Sequence, residues 1–115
     1  MQFIEKPWGS EEIIEINGHY MVKKLTMSKG HRCSLQYHEQ KKETVYLLDG
    51  HLRICFGDDK QNLQNKDMYP GDYFTISPRT IHRMEAVENS VYLEASTPET
   101  ADVVRIEDDY QRASS

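Results

Sequence analysis

Short runs of apolar and polar residues follow one another along the chain, each closed by a turn signal. The run Glu11-Glu12-Ile13-Ile14-Glu15-Ile16 leads through Asn17-Gly18 into His19 to Met27. Asn-Gly between two β-branched runs predicts a hairpin with a type I′ turn, which requires φ > 0 at both central positions. Thr44 to Leu48 reads as a strand. Asp49-Gly50 is a second hairpin signal after it, and Leu52 to Phe56 resumes the strand pattern. Gly57-Asp58-Asp59, Pro70-Gly71-Asp72 and Ser77-Pro78-Arg79-Thr80 punctuate the rest, with strands over Tyr73 to Ile76 and Val91 to Ser96. No long window sustains the helical apolar period. Strands closed by turns about every 8–12 residues predict an all-β sandwich or barrel.

Length and charge narrow the class. At 115 residues, with no repeat, linker or low-complexity tract, the chain reads as one domain ending in a frayed Arg112-Ala113-Ser114-Ser115. It holds no stretch near the ~20 apolar residues of a membrane span. The segment Met1 to Lys6 lacks the apolar centre of a signal peptide. The formal charge of -5 argues against a protein that works by neutralising nucleic-acid phosphates. It leaves room for a small anion held in a locally positive pocket. Cys33 and Cys55 form no CxxC pair and read as reduced thiols, which fits a cytoplasmic protein.

The segment Gly30 to Gly50 carries the chemistry. Gln36 and His38 stand two apart and so share one face of a strand. Glu43 follows a polar stretch that can turn the chain back, and His82 follows a proline-containing loop. An amide oxygen, two imidazoles and a carboxylate make a mixed N/O donor set. It suits one divalent transition metal, zinc first, with manganese, iron, cobalt or nickel as alternatives. By the same alternation Arg32 and Ser34 face the interior with Gln36, and Glu94 is an interior carboxylate that could accept a proton. His19, His31 and His51 read as surface or hydrogen-bonded histidines, Lys41-Lys42 as a solvated turn and Trp8 as a packing anchor. Tyr20, Tyr37, Tyr46, Tyr73 and Tyr92 read as core and rim, and Phe3-Ile4 as a start that could pair with a partner's sheet edge.

These residues carry a family resemblance. Gly30, Gln36, His38, Glu43 and Gly50 are spaced like the first cupin motif, G-x5-H-x-H-x4-E-x6-G, with Gln in place of the first His. Pro70-Gly71-Asp72, Pro78 and His82 resemble the second motif. Lys6-Pro7-Trp8-Gly9-Ser10, the string Lys24-Leu25-Thr26 to Gln36-Tyr37-His38, and Asp102-Val103-Val104-Arg105-Ile106-Glu107-Asp108-Asp109-Tyr110-Gln111-Arg112 resemble signatures of the C-terminal cupin domain of type II mannose-6-phosphate isomerases. Thr44-Val45 stand where that family has His-Trp, and the guanylyltransferase domain that usually precedes it is absent from these residues. The resemblance implies an all-β cupin jelly roll, a double-stranded β-helix barrel, as a single domain over 1–115. Its barrel would span about 20–97, with N-terminal strands over 1–19 and a C-terminal tail over 98–115.

It also implies a metal held by Gln36, His38, Glu43 and His82, and interconversion of mannose 6-phosphate and fructose 6-phosphate through an enediol. Arg32, Lys24 and Glu94 would be catalytic. Arg32, Lys24, Arg105, Tyr110 and Arg112 would bind the phosphate. The expected partner is a small sugar phosphate, with no nucleic acid and no membrane, in a cytoplasmic homodimer. Two alternatives stand beside it: another sugar-phosphate or nucleotide-sugar isomerase or epimerase, and a non-catalytic sugar-binding cupin of polysaccharide biosynthesis.

Overall fold

A computed structural model describes residues 2–111, so Arg112 of the expected phosphate set lies outside the described residues. Eleven strands run in chain order: β1 (Gln2–Lys6), β2 (Gly9–Ile16), β3 (Met21–Met27), β4 (Leu35–Tyr37), β5 (Glu43–Asp49), β6 (Leu52–Gly57), β7 (Gln64–Met68), β8 (Tyr73–Ile76), β9 (Ile81–Ala86), β10 (Ser90–Ser96) and β11 (Val104–Glu107). A six-stranded sheet has the order β1-β2-β3-β10-β5-β8 and a five-stranded sheet the order β11-β4-β9-β6-β7; the strand pairs are antiparallel. No helix among the described residues is long and apolar enough to cross a membrane.

Alternation places the core between the sheets. Val45 and Leu47 of β5, Leu52 and Ile54 of β6, Met68, Ile76, Met84 and Tyr92 are all at least 97% buried and form one cluster with Trp8. Leu35 is packed at the same level. Burying such side chains contributes about 1.5–3 kcal/mol each.

Two turn expectations are corrected. Asn17-Gly18 is not a tight I′ turn, because neither residue has positive φ. The loop covers residues 17–20, and the Asn17 side-chain oxygen accepts the N–H groups of His19 (2.8 Å) and Tyr20 (3.1 Å). An Asx arrangement of this kind satisfies a wider turn without left-handed residues. Asp49-Gly50 does not join paired strands either. β5 pairs with β10 and β8, β6 pairs with β7 and β9, and the turn carries the chain from one sheet to the other. Gly50, at φ +97°, abuts the backbone of Asn89 and Ser90 and leaves no room for a Cβ.

Candidate metal centre and ligand cavity

Three acceptor groups converge between the sheets. His38 follows β4, Glu43 opens β5 and His82 lies on β9; one ligand atom from each lies within 4.8 Å of the others. His38 Nδ1 donates to the Asp102 carbonyl (2.5 Å) and His82 Nδ1 donates to the Thr80 carbonyl (2.9 Å). Each Nε2 is thereby turned toward Glu43 Oε1, at 3.5 Å from His38 and 3.1 Å from His82. His82 is wholly buried, and its Nε2 makes no aligned hydrogen bond. Two imidazole nitrogens whose other nitrogen already carries the proton, facing a carboxylate, call for a cation or an added proton at their centre. A divalent metal satisfies that need, and carbonyls behind the ring nitrogens are the usual way to aim histidine ligands.

The loop 77–80 aims both rings. Arg79, held at φ +67°, donates its N–H to the His38 carbonyl (2.6 Å), and Thr80 supplies the acceptor for His82. Gln36 pairs with His82 across β4 and β9, and its side-chain oxygen accepts the Ser34 hydroxyl at 2.5 Å.

A cavity of about 280 Å³ opens beside this centre. Gln36, His38 and Glu43 line it, with Glu94 from β10 and Lys41 from the loop before β5. Lys41 Nζ lies 3.4 Å from Glu94 Oε2 and 3.7 Å from Glu43 Oε2. Lys23 Nζ lies 3.1 Å from Glu11 Oε1 and 4.0 Å from Glu94 Oε2.

Burial first, and then the Glu43 charge, push the Glu94 carboxyl up to about 7 against the pull of Lys41 and Lys23. Burial also works against the Glu43 charge, but His38, His82 and Lys41 outweigh it and hold Glu43 well below the usual carboxylate range. Burial lowers Lys41, yet Glu94 and Glu43 outweigh it and keep the ammonium above its ordinary value. His38 is raised in the same way, Glu43 overcoming burial.

Two expected cavity residues lie elsewhere. Arg32 bridges Glu85 while Gln36 pairs with His82, so four steps on one strand oppose three on the other. The extra residue is a β-bulge, and it breaks the alternation on which the inward placement of Arg32 rested. Cys33 and Gln36 face the cavity; Arg32 and Leu35 line a groove on the outer side. There Arg32 makes a two-pronged pair with Asp109 (Nε–Oδ2 2.7 Å, Nη2–Oδ1 3.0 Å). Lys24 also turns away, since Leu25 is a core residue and alternation sends Lys23 inward in its place.

The tail divides. Arg105, opposite Gln36 on β11, lines the cavity. Tyr110 does not; its hydroxyl lies 2.7 Å from His31 Nδ1 and the two rings stack. Lys41, read from sequence as a solvated turn, is 93% buried. Asp102 draws it in by accepting the N–H groups of Glu39, Gln40 and Lys41 on its two carboxylate oxygens. Lys6, Glu11 and Lys23 are further cavity residues that the sequence reading missed. For Glu11 and Lys23 the signal was present, as both hold inward positions on β2 and β3.

The sequence matches the family described as mannose-6-phosphate isomerase C-terminal over residues 2–109. It is similar to the alginate biosynthesis protein AlgA of Pseudomonas aeruginosa, at 29% identity over 115 aligned positions that cover 95% of this chain and 23% of that protein. It is similar to the mannose-1-phosphate guanylyltransferase ManC of Salmonella typhimurium, at 28% over 120 positions with coverage of 95% and 23%. The chain thus spans under a quarter of the length of these curated relatives. The fold is similar to KdgF from a Halomonas species (TM-score 0.76, 18% identity, 87% of this chain and 90% of that one). It is also similar to an RmlC-like cupin from Shewanella frigidimarina (TM-score 0.74, 17% identity, 85% and 84%). These likenesses make the two-sheet barrel a cupin jelly roll.

Proposed function

We propose, because the chain belongs to the mannose-6-phosphate isomerase C-terminal family, that its cavity isomerises a hexose 6-phosphate, converting mannose 6-phosphate to fructose 6-phosphate through an enediol. The observation that carries the reading is the placement of two groups in one cavity: the His38, Glu43 and His82 acceptors, and the buried Glu94–Lys41 pair. The donor set fits a divalent transition metal, zinc first, held by His38, Glu43 and His82 with Gln36 on the neighbouring strand. Such an ion, when bound, supplies Lewis-acid stabilisation of negative charge on the sugar oxygens.

The remaining work falls to the chain's own residues. Aldose-to-ketose conversion moves a carbon-bound proton from C2 to C1 and an oxygen-bound proton from O2 to O1. Glu94, a carboxylate walled off from bulk water, takes the C2 proton and returns it to C1. Lys41, 3.4 Å from it, holds that carboxylate in place. Its ammonium gives a proton to O1 and recovers one from O2. Lys6 and Arg105 offer positive charge to the phosphate from the cavity wall. A volume of about 280 Å³ is at the small end of ligand pockets, which favours one hexose phosphate over a nucleotide sugar.

The test is a coupled assay for fructose 6-phosphate with zinc, manganese or cobalt supplied. Metal-dependent turnover is expected, and Glu94→Gln should lower kcat at least about 100-fold with a small change in KM. Absence of turnover with every metal overturns the isomerase reading. Saturable sugar-phosphate binding in that same protein would assign the cavity to a non-catalytic binding role.

A further inference from the structure

The groove on the outer side of the five-stranded sheet holds a hydrogen-bond donor with no acceptor. Register lays its floor: Arg83 of β9 stands opposite Cys55 of β6, and Cys55 stands opposite Asn65 of β7. The β6–β7 connection adds Lys60 and Leu63, and β4 adds Leu35. Met84, the next residue on β9, lines the inner cavity, so Arg83 faces away from it. The space enclosed is about 200 Å³.

Arg83 is 94% buried. Its Nε donates to the Cys33 carbonyl at 3.1 Å, but its Nη2, also buried, makes no hydrogen bond among the described residues. Asp109 Oδ1 stands 3.8 Å from that nitrogen and already accepts from Arg32 Nη2 at 3.0 Å. A sheltered N–H on a charged group is costly without an acceptor, and folded proteins seldom leave one so. The other charges are engaged with one another. Arg32 pairs with Asp109, Arg53 pairs with Asp67, and Glu85 stands opposite both arginines on the neighbouring strands. Lys60, exposed on the connection, adds a second cation beside Arg83.

We propose that this groove binds a small monocarboxylate with an apolar body, its carboxylate on Arg83 and Lys60 and its carbon skeleton on Leu35, Leu63 and Cys55. Charge sets the valence of the ligand. Arg32, Arg53, Lys60 and Arg83 are balanced by Glu85 and Glu107 in the lining and by Asp67 and Asp109 paired to it. A balanced surround gives no field to attract a dianion, and Glu85 and Glu107 oppose a second negative charge. One negative charge is held instead by directed N–H donors, which form charge-assisted hydrogen bonds. The apolar lining sets the rest of the molecule. Leu35 and Leu63 offer no partner to sugar hydroxyls and gain by covering hydrocarbon. The volume lies below that of ordinary ligand pockets, so the ligand is small. The inner cavity and its reaction play no part in this site.

Cys55 reports on the groove without reference to activity, and benzoate serves as the probe. At constant ionic strength, benzoate should suppress alkylation of Cys55 by iodoacetamide in the native full chain, saturably and in the millimolar range. Benzamide, its neutral isostere, should need at least about tenfold more. Lys60→Ala, on an exposed connection, should weaken the protection about threefold. Arg83→Gln should weaken it at least about tenfold, with circular dichroism to show that the strands persist. If Arg83→Gln misfolds, Lys60→Ala and benzamide still decide the matter. Cys55 labelling indifferent to benzoate, equal protection by benzamide, or protection unchanged by the substitutions overturns the proposal. Protection by inorganic phosphate at lower concentration than by benzoate overturns it too, since the groove would then favour a dianion.

Discussion

Asp102 holds the candidate site together, and its removal has a calculable cost. Its carboxylate accepts N–H groups from Glu39 (3.0 Å), Gln40 (2.7 Å) and Lys41 (2.9 Å), while its backbone carbonyl orients His38. Hydrogen bonds to a charged acceptor contribute about 1.5–3 kcal/mol each when water cannot replace them. This loop is partly open to solvent, so about 1 kcal/mol each is the better figure. Asp102→Ala should then destabilise by about 3 kcal/mol at pH 7, lowering Tm by roughly 12 °C for a domain of this size. Asp102→Asn keeps one acceptor oxygen and presents an amide donor to the other N–H, and should lose about half as much.

The pH dependence follows from the same contacts. The N–H of Gln40 first, with those of Lys41 and Glu39, holds the Asp102 carboxyl below the usual carboxylate range. A lowered folded pKa stabilises fully above the ordinary value near ~3.9 and is lost as pH falls through the folded value. The gap between wild type and Asp102→Ala should therefore be full at pH 7 and shrink below about pH 4. Urea unfolding followed by circular dichroism, from pH 7 down to the lowest pH at which the wild type folds, measures it. A gap under about 1 kcal/mol at pH 7, or one that does not shrink with acid, would refute the assignment.

The remaining predictions address the centre and its surroundings. Elemental analysis should find one divalent metal per chain, lost in His38→Ala with His82→Ala, and chelation of the wild type should lower its Tm. Arg32→Ala should cost about 1 kcal/mol through the lost Asp109 pair and change isomerase activity less than about threefold; a loss near a hundredfold would return Arg32 to the phosphate. Cys55, half-buried, should react with a thiol reagent in the native state. Cys33 should react only on unfolding, because burial pushes its thiol up to about 11 and its sulfur accepts the Met84 N–H. Mass spectrometry of the labelled chain tells the two apart.

Spacing made the fold and the acceptor cluster legible. Residues 36, 38 and 43 are placed by a strand and the loop after it, and His82 by the proline loop before β9. What failed depends on one-residue details of backbone. The bulge between Arg32 and Gln36 leaves no mark in composition, yet it moves the guanidinium from the interior to the outer groove. Alternation counted from the buried Leu25 selects Lys23, and the family match at Lys24 pulled the reading one position off. Lys41 had no local signal. Its burial is imposed by Asp102 and Glu94, 61 and 53 residues away along the chain, and a contact of that range cannot be read from a turn's own residues. At the Thr44-Val45 departure, Thr44 bonds Thr75 on the outer face and Val45 sits in the core.

These placements give an acidic chain a differently charged interior. The chain as a whole carries -5, but its cavity is lined by four cations, Lys6, Lys23, Lys41 and Arg105, against three carboxylates, Glu11, Glu43 and Glu94. The cavity is thus locally positive before any ion binds, and a divalent metal on His38, Glu43 and His82 would raise that further. Field inside a low-dielectric pocket depends on the near charges, which water screens little; surface carboxylates act through solvent and fade within about 10 Å at ordinary salt. Net charge therefore argues against a polyanion spread over the surface and says nothing against a single phosphate inside. Two of the four cations, Lys23 and Lys41, are already committed to carboxylates at 3.1 and 3.4 Å. Lys6, on the first strand, and Arg105, on the last, stand in the same cavity wall.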